Sequence, residues 1–331
     1  TTGPLGQGIA MAVGMAVAEE MLAAKFNTPS HKIVDHYTYT LIGEGCLMEG
    51  VSSEASSFAG TMKLGKLIAF YDCNKISIDG STDLAFQEDV AKRYEAYGWQ
   101  VLTGSMYDMP QIAELVDKAK KDERPSLIIL KSVIGQGAPS VAGSAKAHGA
   151  PIGAEGVAEA KKNLGLNPEE QFYVAPEAYT YFEEKKALFA DREKQWNATF
   201  EAWGKENPEL KKEWDAYWSG EISSSVELPV YKAGDSLATR TASGAALLAF
   251  SKQNSFIVGG SADLQGPNAT KLADTTDFSP TNKVGHYIRF GIREFAMGCI
   301  VNGIALHGGL KPFCATFMVF VDYMRPALRL A

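Results

Sequence analysis

The sequence has few cysteines and no long apolar run, and each absence excludes a class of protein. Its four cysteines form no CxxC pair and no cluster with metal-ligand spacing, so neither a disulfide framework nor a zinc site is expected. The most apolar segment, residues 8–25, is interrupted by Glu19 and Glu20 and falls short of the roughly 20 apolar residues that span a bilayer. We therefore expect no membrane partner, and a reducing cytoplasm as the compartment.

A surplus of positive charge is also lacking. The chain carries 32 Lys and Arg against 39 Asp and Glu, which gives a net charge of −7. Such a chain is not attracted overall to nucleic acid, so nucleic acid is not expected as its main partner. A local basic pocket for a phosphorylated metabolite is compatible with this balance. The hydrophobic share of 46% and the charged share of 21% are those of a globular protein.

The order of segments predicts an α/β fold. The length of 331 residues favours about two domains. Apolar, β-branched segments (YTYTLIGEG, KLIAFYDCN, WQVLTGS and PSLIILKSVIG) alternate with helical patterns at residues 52–62, 86–97 and 109–121. A second set (SFIVGGSAD, HYIRFGIRE and KPFCATF) follows a helix predicted at residues 236–252. Strands and helices that alternate in this way form parallel sheets covered by helices.

Between residues 167 and 231 aromatic and charged residues alternate, which predicts amphipathic helices docked by their bulky faces on a neighbouring surface. We place a first domain at residues 1–205, a connector at 206–232 and a second domain at 233–331. The chain begins without methionine in a glycine-rich turn and stops inside a helical pattern. We therefore expect the first domain to be truncated at its start and the second to be incomplete.

Oxygen-bearing side chains follow two of the predicted strands. Glu44 comes after TYTLIG, and Asn74 comes after KLIAFYDC. If these strands are neighbours, their carboxyl ends bring together a carboxylate, an amide oxygen and the backbone carbonyl of Ile76, which is half of an octahedral Mg²⁺ shell. The alternative is that Glu44 and Asn74 cap the following helices, and both interpretations stay open on these residues alone.

Longer motifs resemble the transketolase family. They include TTGPLGQGIAMAVGMA, GEGCLMEGVSSEA, HGAPIG, LATRTASG, GGSADL, YIRFGIREFAMG and KPFCATFMVFVDYMRPALRL, and they run in the family's order along the whole chain. The resemblance implies two domains of the type that binds thiamine diphosphate, and a homodimer whose active site lies at the subunit interface. It implies the transfer of a two-carbon ketol unit between sugar phosphates, with thiamine diphosphate and Mg²⁺, Ca²⁺ or another divalent cation as cofactors.

The resemblance also implies a role for each matching residue of the first domain. Glu44, Asn74 and the carbonyl of Ile76 would hold the metal ion. Gly45 would let the backbone reach the diphosphate. The family has aspartate where this chain has Glu44, so the carboxylate is one methylene longer.

Three further residues of the first domain match the family's motifs. Gly3 and Leu5 would lie against the aminopyrimidine ring, where glycine permits close approach of the backbone. Glu49 would lie in the subunit contact, near Glu294 of the partner subunit.

In the second domain the resemblance gives the key role to Glu294. This glutamate would reach the pyrimidine nitrogen of a cofactor held mainly by the other subunit, and would promote the imine form that removes the thiazolium proton. Without the resemblance, Glu294 would be interpreted as an exposed glutamate at a helix end. The family's usual histidine after it is replaced here by Phe295.

Aromatic residues near the end of the chain would line the cofactor. Phe317, Phe320 and Tyr323 recur every three residues, which predicts one helical face. The resemblance places them around the aminopyrimidine ring, and it places Asp263 near the thiamine. Core packing is the alternative for the three aromatic residues.

Two basic residues would serve the substrate. His148 matches a histidine between diphosphate and substrate, and Arg240 matches the arginine that grips the sugar phosphate. A lone histidine in a glycine-rich loop is otherwise a solvated residue. Pro267 stands where the family has a phosphate-binding serine, and proline has no hydrogen-bond donor.

Two alternative functions remain open at this point. Pro267 and Phe295 favour a transketolase-like enzyme with a shifted acceptor, such as dihydroxyacetone synthase. The glutamate at position 44 and the two ends of the chain favour a relative that binds the cofactor without turnover. We expect little or no turnover from the 331 residues by themselves.

Overall fold

The computed structural model describes residues 2–223 and 225–331, and its framework is a pair of parallel sheets. The strands of the described residues are, in chain order, β1 (Thr38–Ile42), β2 (Leu67–Cys73), β3 (Ile76–Ser77), β4 (Gly80–Ser81), β5 (Gln100–Ser105), β6 (Ser126–Lys131), β7 (Ile257–Ser261), β8 (Tyr287–Arg289) and β9 (Lys311–Ala315). The helices are α1 (Gln7–Phe26), α2 (Glu44–Met48), α3 (Gly50–Met62), α4 (Val90–Ala96), α5 (Met109–Ala119), α6 (Gly153–Asn163), α7 (Pro176–Glu206), α8 (Pro208–Ser219), α9 (Thr239–Gln253), α10 (Glu294–His307) and α11 (Val321–Leu330).

The first sheet has the strand order β1-β2-β6-β5, and all its strands are parallel. Alternate residues of β2 and β6 face opposite sides. Ile68 and Ile128 pack on α5, whereas Leu67 and Leu127 belong to the larger core that includes α1 and α3. Because both faces are covered, these strands are nearly continuous apolar runs.

The second sheet has the order β8-β7-β9, again with parallel strands. Its central strand β7 is buried along its whole length. The α/β class and the parallel, helix-covered sheets predicted from the sequence are therefore confirmed. The short antiparallel pair β3 and β4 was not predicted, because two-residue strands leave no periodic pattern.

Helices α1 and α10 hold the two sheets together. An added Cβ at Gly14 of α1 would lie 2.0 Å from the carbonyl oxygen of Ile300, and one at Gly303 of α10 would lie 2.0 Å from that of Met11. The two backbones thus approach each other more closely than any side chain would allow. We call this crossing of α1 and α10 the seam.

Two sequence-based helix boundaries are wrong. The helix predicted at residues 86–97 begins only at Val90, because the Asp89 carboxylate accepts the N–H of Lys92 and starts the helix there. The helix predicted at residues 236–252 begins at Thr239.

Amphipathic helices docked by their bulky faces were predicted between residues 167 and 231. The structure confirms the docking only for the later part of this segment. Phe26 contacts the rings of Trp203, Trp214 and Tyr217 edge-on, at centroid distances of 5.0–6.3 Å. The exposed fraction along α7 rises from 0% at Trp203 to 67% at Phe182. The first half of α7 is thus not docked on a described surface. Among the described helices, none combines the length and apolarity needed to cross a membrane.

Candidate functional site

Glu44 lies at the carboxyl end of β1, next to the carboxyl end of β2. Strands β1 and β2 are parallel neighbours, so the loops after them meet at one edge of the sheet. The Glu44 side chain is buried, with an exposed fraction of 3%, and its Oε1 accepts the backbone N–H of Lys75 at 2.7 Å. No side chain caps the first turn of α2, so the capping alternative for Glu44 is wrong. The carboxylate instead joins the two strand ends.

Asn74 shapes the loop that receives this carboxylate. Its Oδ1 accepts the N–H of Ile76 at 3.0 Å, and Lys75 between them has a left-handed backbone with φ of 65°. The Lys75 carbonyl in turn accepts the N–H of Thr82 at 3.0 Å. An amide oxygen has two acceptor lone pairs, so Asn74 retains one for a further ligand. Asn74 therefore does not cap a following helix. Its side chain stabilises a local turn instead.

Tyr71 on β2 adds a neutral group beside the carboxylate. Burial, reinforced by Cys73 and Glu44 nearby, raises the pKa of the Tyr71 phenol well above its usual value. The phenol is therefore uncharged at neutral pH. The Glu44 carboxyl beside it is the kind of hard oxygen ligand that Mg²⁺ and Ca²⁺ prefer.

The glycine-rich turn before α1 packs on the same edge. Gly3 and Gly6 have left-handed φ values of 66° and 79°. A Cβ at Gly6 would come within 2.7 Å of the Glu49 Cβ, and one at Gly45 would come within 2.7 Å of the Leu5 side chain. The structure thus brings Gly3, Leu5, Gly45 and Glu49 together with Glu44 and Asn74. Leu5 and Glu49 remain largely exposed.

A second pair of carboxylates meets at the start of α10. Glu294 is buried, and its Oε1 lies 3.4 Å from the hydroxyl of Thr316, at the carboxyl end of β9. Glu54 of α3 accepts the N–H of Ala296 at 3.0 Å. Burial, and then the charge of Glu294, raise the pKa of Glu54. Sequence analysis did not single out Glu54, because its partner is 242 positions away.

An open cleft of about 740 Å³ lies at the carboxyl edge of the second sheet. It is lined by Arg240, the second residue of α9, and by Thr316 and Phe317 after β9. Because Thr316 also contacts Glu294, the cleft and the buried glutamate are adjacent. A guanidinium beside an aromatic ring suits an anionic ligand with a planar part.

The aromatic residues at the end of the chain line up, but on no single α-helix. Phe317 is extended, a 3₁₀ turn covers residues 318–320, and α11 starts only at Val321. Phe317 and Phe320 are 6.0 Å apart between ring centroids, and Phe320 and Tyr323 are 6.3 Å apart. The 3₁₀ turn, with three residues per turn, keeps the rings in one row. The prediction that the three aromatic residues share one α-helical face is therefore wrong, although their rings do lie in one row.

Of the remaining residues singled out in the sequence, Asp263, Pro267 and His148 lie in loops, and Phe295 lies in α10. Asp263 follows β7, is exposed and has a left-handed φ of 59°. Pro267 lies exposed in the same loop, and Phe295 is half-buried against the core. His148 is exposed after a 3₁₀ turn at Ala145–Ala147.

Comparison with known families accounts for both sheets. The profile described as "Transketolase, thiamine diphosphate binding domain" matches residues 1–223. The profile described as "Transketolase, pyrimidine binding domain" matches residues 235–331.

Individual relatives agree with these profiles. The transketolase of Treponema pallidum is 62% identical over 336 residues, which cover 100% of this chain and 51% of that protein. The transketolase of Bacillus subtilis is 47% identical and is matched over 50% of its length. The structure of Pichia stipitis transketolase in complex with sedoheptulose 7-phosphate has a TM-score of 0.96 at 45% identity, and covers 100% of this chain and 50% of that one. The chain thus spans about half the length of the curated relatives it matches.

Proposed function

The chain belongs to the transketolase family, and from this premise we propose that it serves two-carbon ketol transfer in the pentose phosphate pathway. The donors would be xylulose 5-phosphate and sedoheptulose 7-phosphate, and the acceptors ribose 5-phosphate and glyceraldehyde 3-phosphate. The observation that carries the proposal is the buried Glu44 carboxylate held at 2.7 Å from the Lys75 N–H, beside Asn74. This arrangement supplies the hard oxygen ligands that a metal-bound diphosphate requires.

We propose that the first sheet's edge holds the diphosphate end of the cofactor. Glu44, Asn74 and the Ile76 carbonyl would bind Mg²⁺, or Ca²⁺ in its place. Gly45 would leave room for the diphosphate near the start of α2. Gly3 and Leu5 would lie against the aminopyrimidine ring. Thiamine diphosphate, when bound, supplies a carbon nucleophile and an electron sink.

The second sheet's edge would hold the other end of the cofactor and control its protons. Glu294 would bind the pyrimidine nitrogen, and its burial beside Thr316 gives this carboxyl a water-poor environment that suits proton transfer. Phe317, Phe320 and Tyr323 would orient the ring. Asp263 would lie near the thiamine.

For the substrate, we propose that Arg240 binds the sugar phosphate and that His148 lies between diphosphate and substrate. Arg240 lines the cleft of about 740 Å³, which is large enough for a sugar phosphate. His148 is exposed in a loop and free to approach a ligand. A homodimer, in which Glu49 contacts the partner subunit, would complete the site. As part of the same proposal, residues 1–205 form the first domain, 206–232 the connector and 233–331 the second domain. The proposed location is the cytoplasm.

A donor and acceptor panel tests this function. Ketol transfer is measured on the protein expressed from the full coding sequence, and separately on the 331-residue chain. We expect ribose 5-phosphate to be preferred to formaldehyde as acceptor, and the isolated 331 residues to be almost inactive. Preference for formaldehyde would instead support dihydroxyacetone synthase, the alternative that Pro267 favours. Replacing Pro267 by Ser should then lower the KM for phosphorylated acceptors. The KM for formaldehyde should stay unchanged.

A further inference from the structure

Helix α2, which begins with Glu44, is too short to hold its own position. Five residues form little more than one turn, and isolated helices of that length are not stable in water. The last carbonyl groups of a helix have no partner within it and need donors from elsewhere. The Cys46 carbonyl accepts the hydroxyl of Ser52, and the Leu47 carbonyl accepts the Nη2 of Arg93 at 3.0 Å. Two other helices, α3 and α4, therefore hold the end of α2.

The guanidinium of Arg93 is itself fixed by several contacts. Its Nη1 lies 2.7 Å from the Glu88 carboxylate, in an ion pair. The guanidinium carbon lies 5.8 Å from the ring centroid of Phe86 and 5.8 Å from that of Tyr94. The Arg93 side chain is only 20% exposed. A planar cation held in this way donates to the Leu47 carbonyl with little further loss of side-chain freedom.

We propose that Arg93 is a positioning residue for the metal-binding edge. Through the Leu47 carbonyl it holds α2, and through α2 it sets the place of the Glu44 carboxylate and of Gly45. The inference rests on the proposed function of that edge, and Arg93 acts on the site only through α2. A cation at the end of a helix also complements the helix dipole. The bond joins residues 46 positions apart, and none of the roles proposed above includes it.

The geometry of α2 carries a displacement of Leu47 to Glu44. Both residues belong to the same turn, and three residues rise about 4.5 Å along a helix axis. The Glu44 carboxylate accepts the Lys75 N–H at 2.7 Å, so a small shift or rotation of the helix would break this bond. The Leu47 side chain is fully buried in the core and keeps the helix attached when Arg93 is lost. Loss of Arg93 should therefore misplace α2 without unfolding the chain.

The alternative is that Arg93 only joins α4 to α3. Its Nη1 does approach α3, but lies 3.4 Å from the Ser53 hydroxyl, which is long for a hydrogen bond. The same two helices are joined by a shorter bond of 3.1 Å between the hydroxyls of Ser56 and Tyr94, which does not involve α2. Ser56→Ala is therefore the matched control, because it loosens the two helices and leaves the bond to α2 in place.

Calorimetric titration of thiamine diphosphate in Mg²⁺, into the protein expressed from the full coding sequence, tests the proposal. Arg93→Met keeps the apolar stem and removes the guanidinium. We expect it to weaken binding about tenfold, the scale of one charge-assisted hydrogen bond. Ser56→Ala should bind as the unaltered protein does. Unchanged binding by Arg93→Met, or an equal loss in Ser56→Ala, would overturn the role of Arg93.

Hydrogen–deuterium exchange without cofactor separates this inference from the proposed function. The bond to Glu44 protects the Lys75 amide, so its exchange should be about tenfold faster in Arg93→Met and unchanged in Ser56→Ala. Unchanged exchange at Lys75 in Arg93→Met would overturn the positioning role, whether or not the protein binds cofactor. Failure of the unaltered protein to bind thiamine diphosphate in Mg²⁺ would instead overturn the proposed function of the edge.

A second variant decides the question if circular dichroism shows that Arg93→Met does not fold. Ser52→Ala removes a single oxygen atom, the one that donates to the Cys46 carbonyl at the end of α2. We expect the Lys75 amide to exchange faster in this variant too, by a smaller factor than in Arg93→Met. Unchanged exchange would show that the contacts at the end of α2 do not position Glu44.

Discussion

Replacing Gly303 by alanine is expected to destabilise the chain by about 3 kcal/mol, the upper end of what overpacking produces. The new Cβ would lie 2.0 Å from the Met11 carbonyl oxygen, a backbone atom that cannot swing away. Gly14→Ala should act similarly, because its Cβ would lie 2.0 Å from the Ile300 carbonyl oxygen. The seam between α1 and α10 would have to open in either variant. Urea unfolding, followed by circular dichroism, measures the change in the free energy of unfolding.

Gly8→Ala is the matched control for the seam. Gly8 lies in α1, the helix of Gly14, and its added Cβ would meet only the Thr2 side chain, at an ordinary distance of 3.4 Å. Alanine is the better helix former by about 1 kcal/mol, so this variant should be as stable as the parent or slightly more so. Equal stability of Gly303→Ala and Gly8→Ala would show that the seam is not closely packed.

The second large effect is expected at the proposed metal site. Glu44→Gln should weaken Mg²⁺-dependent binding of thiamine diphosphate by about tenfold or more, which corresponds to about 1.4 kcal/mol. The substitution removes the charge but keeps an oxygen that accepts the Lys75 N–H, so the loop should stay folded. Calorimetric titration with and without Mg²⁺ measures the effect.

Two companion variants sharpen the result for Glu44. Glu114→Gln removes an equal charge from an exposed position on α5 and should leave binding unchanged. Glu44→Asp restores the residue usual in the family, and stronger Mg²⁺-dependent binding would show that the longer side chain is a compromise. If Glu44→Gln binds as the unaltered chain does, Glu44 is not a metal ligand.

Local sequence determined which parts of the fold could be predicted. The strands were predictable because buried parallel strands are apolar runs bounded by glycine or polar residues, as β2 and β6 are. The start of α4 was not predictable from the apolar pattern, which begins at residue 86. The helix begins later because the Asp89 carboxylate accepts the Lys92 N–H. The exposure of Phe182 and Phe189 was not predictable either, since a periodic pattern does not say what covers it.

The same limit applies to the candidate site. Glu44 and Asn74 were predictable as neighbours because each follows a strand, and parallel strands end at one edge of a sheet. The contact of Glu54 with α10 depends on the packing of two distant helices, for which no local pattern exists.

The central claim is that the edge formed by Glu44, Asn74 and Ile76 binds thiamine diphosphate through a divalent metal ion. The most direct measurement is calorimetric titration of thiamine diphosphate into the chain and into the full coding-sequence product, in Mg²⁺ and then in excess chelator. We expect saturable binding in Mg²⁺ that chelator abolishes and that returns when Ca²⁺ is added. No binding in Mg²⁺ by either protein would contradict the claim.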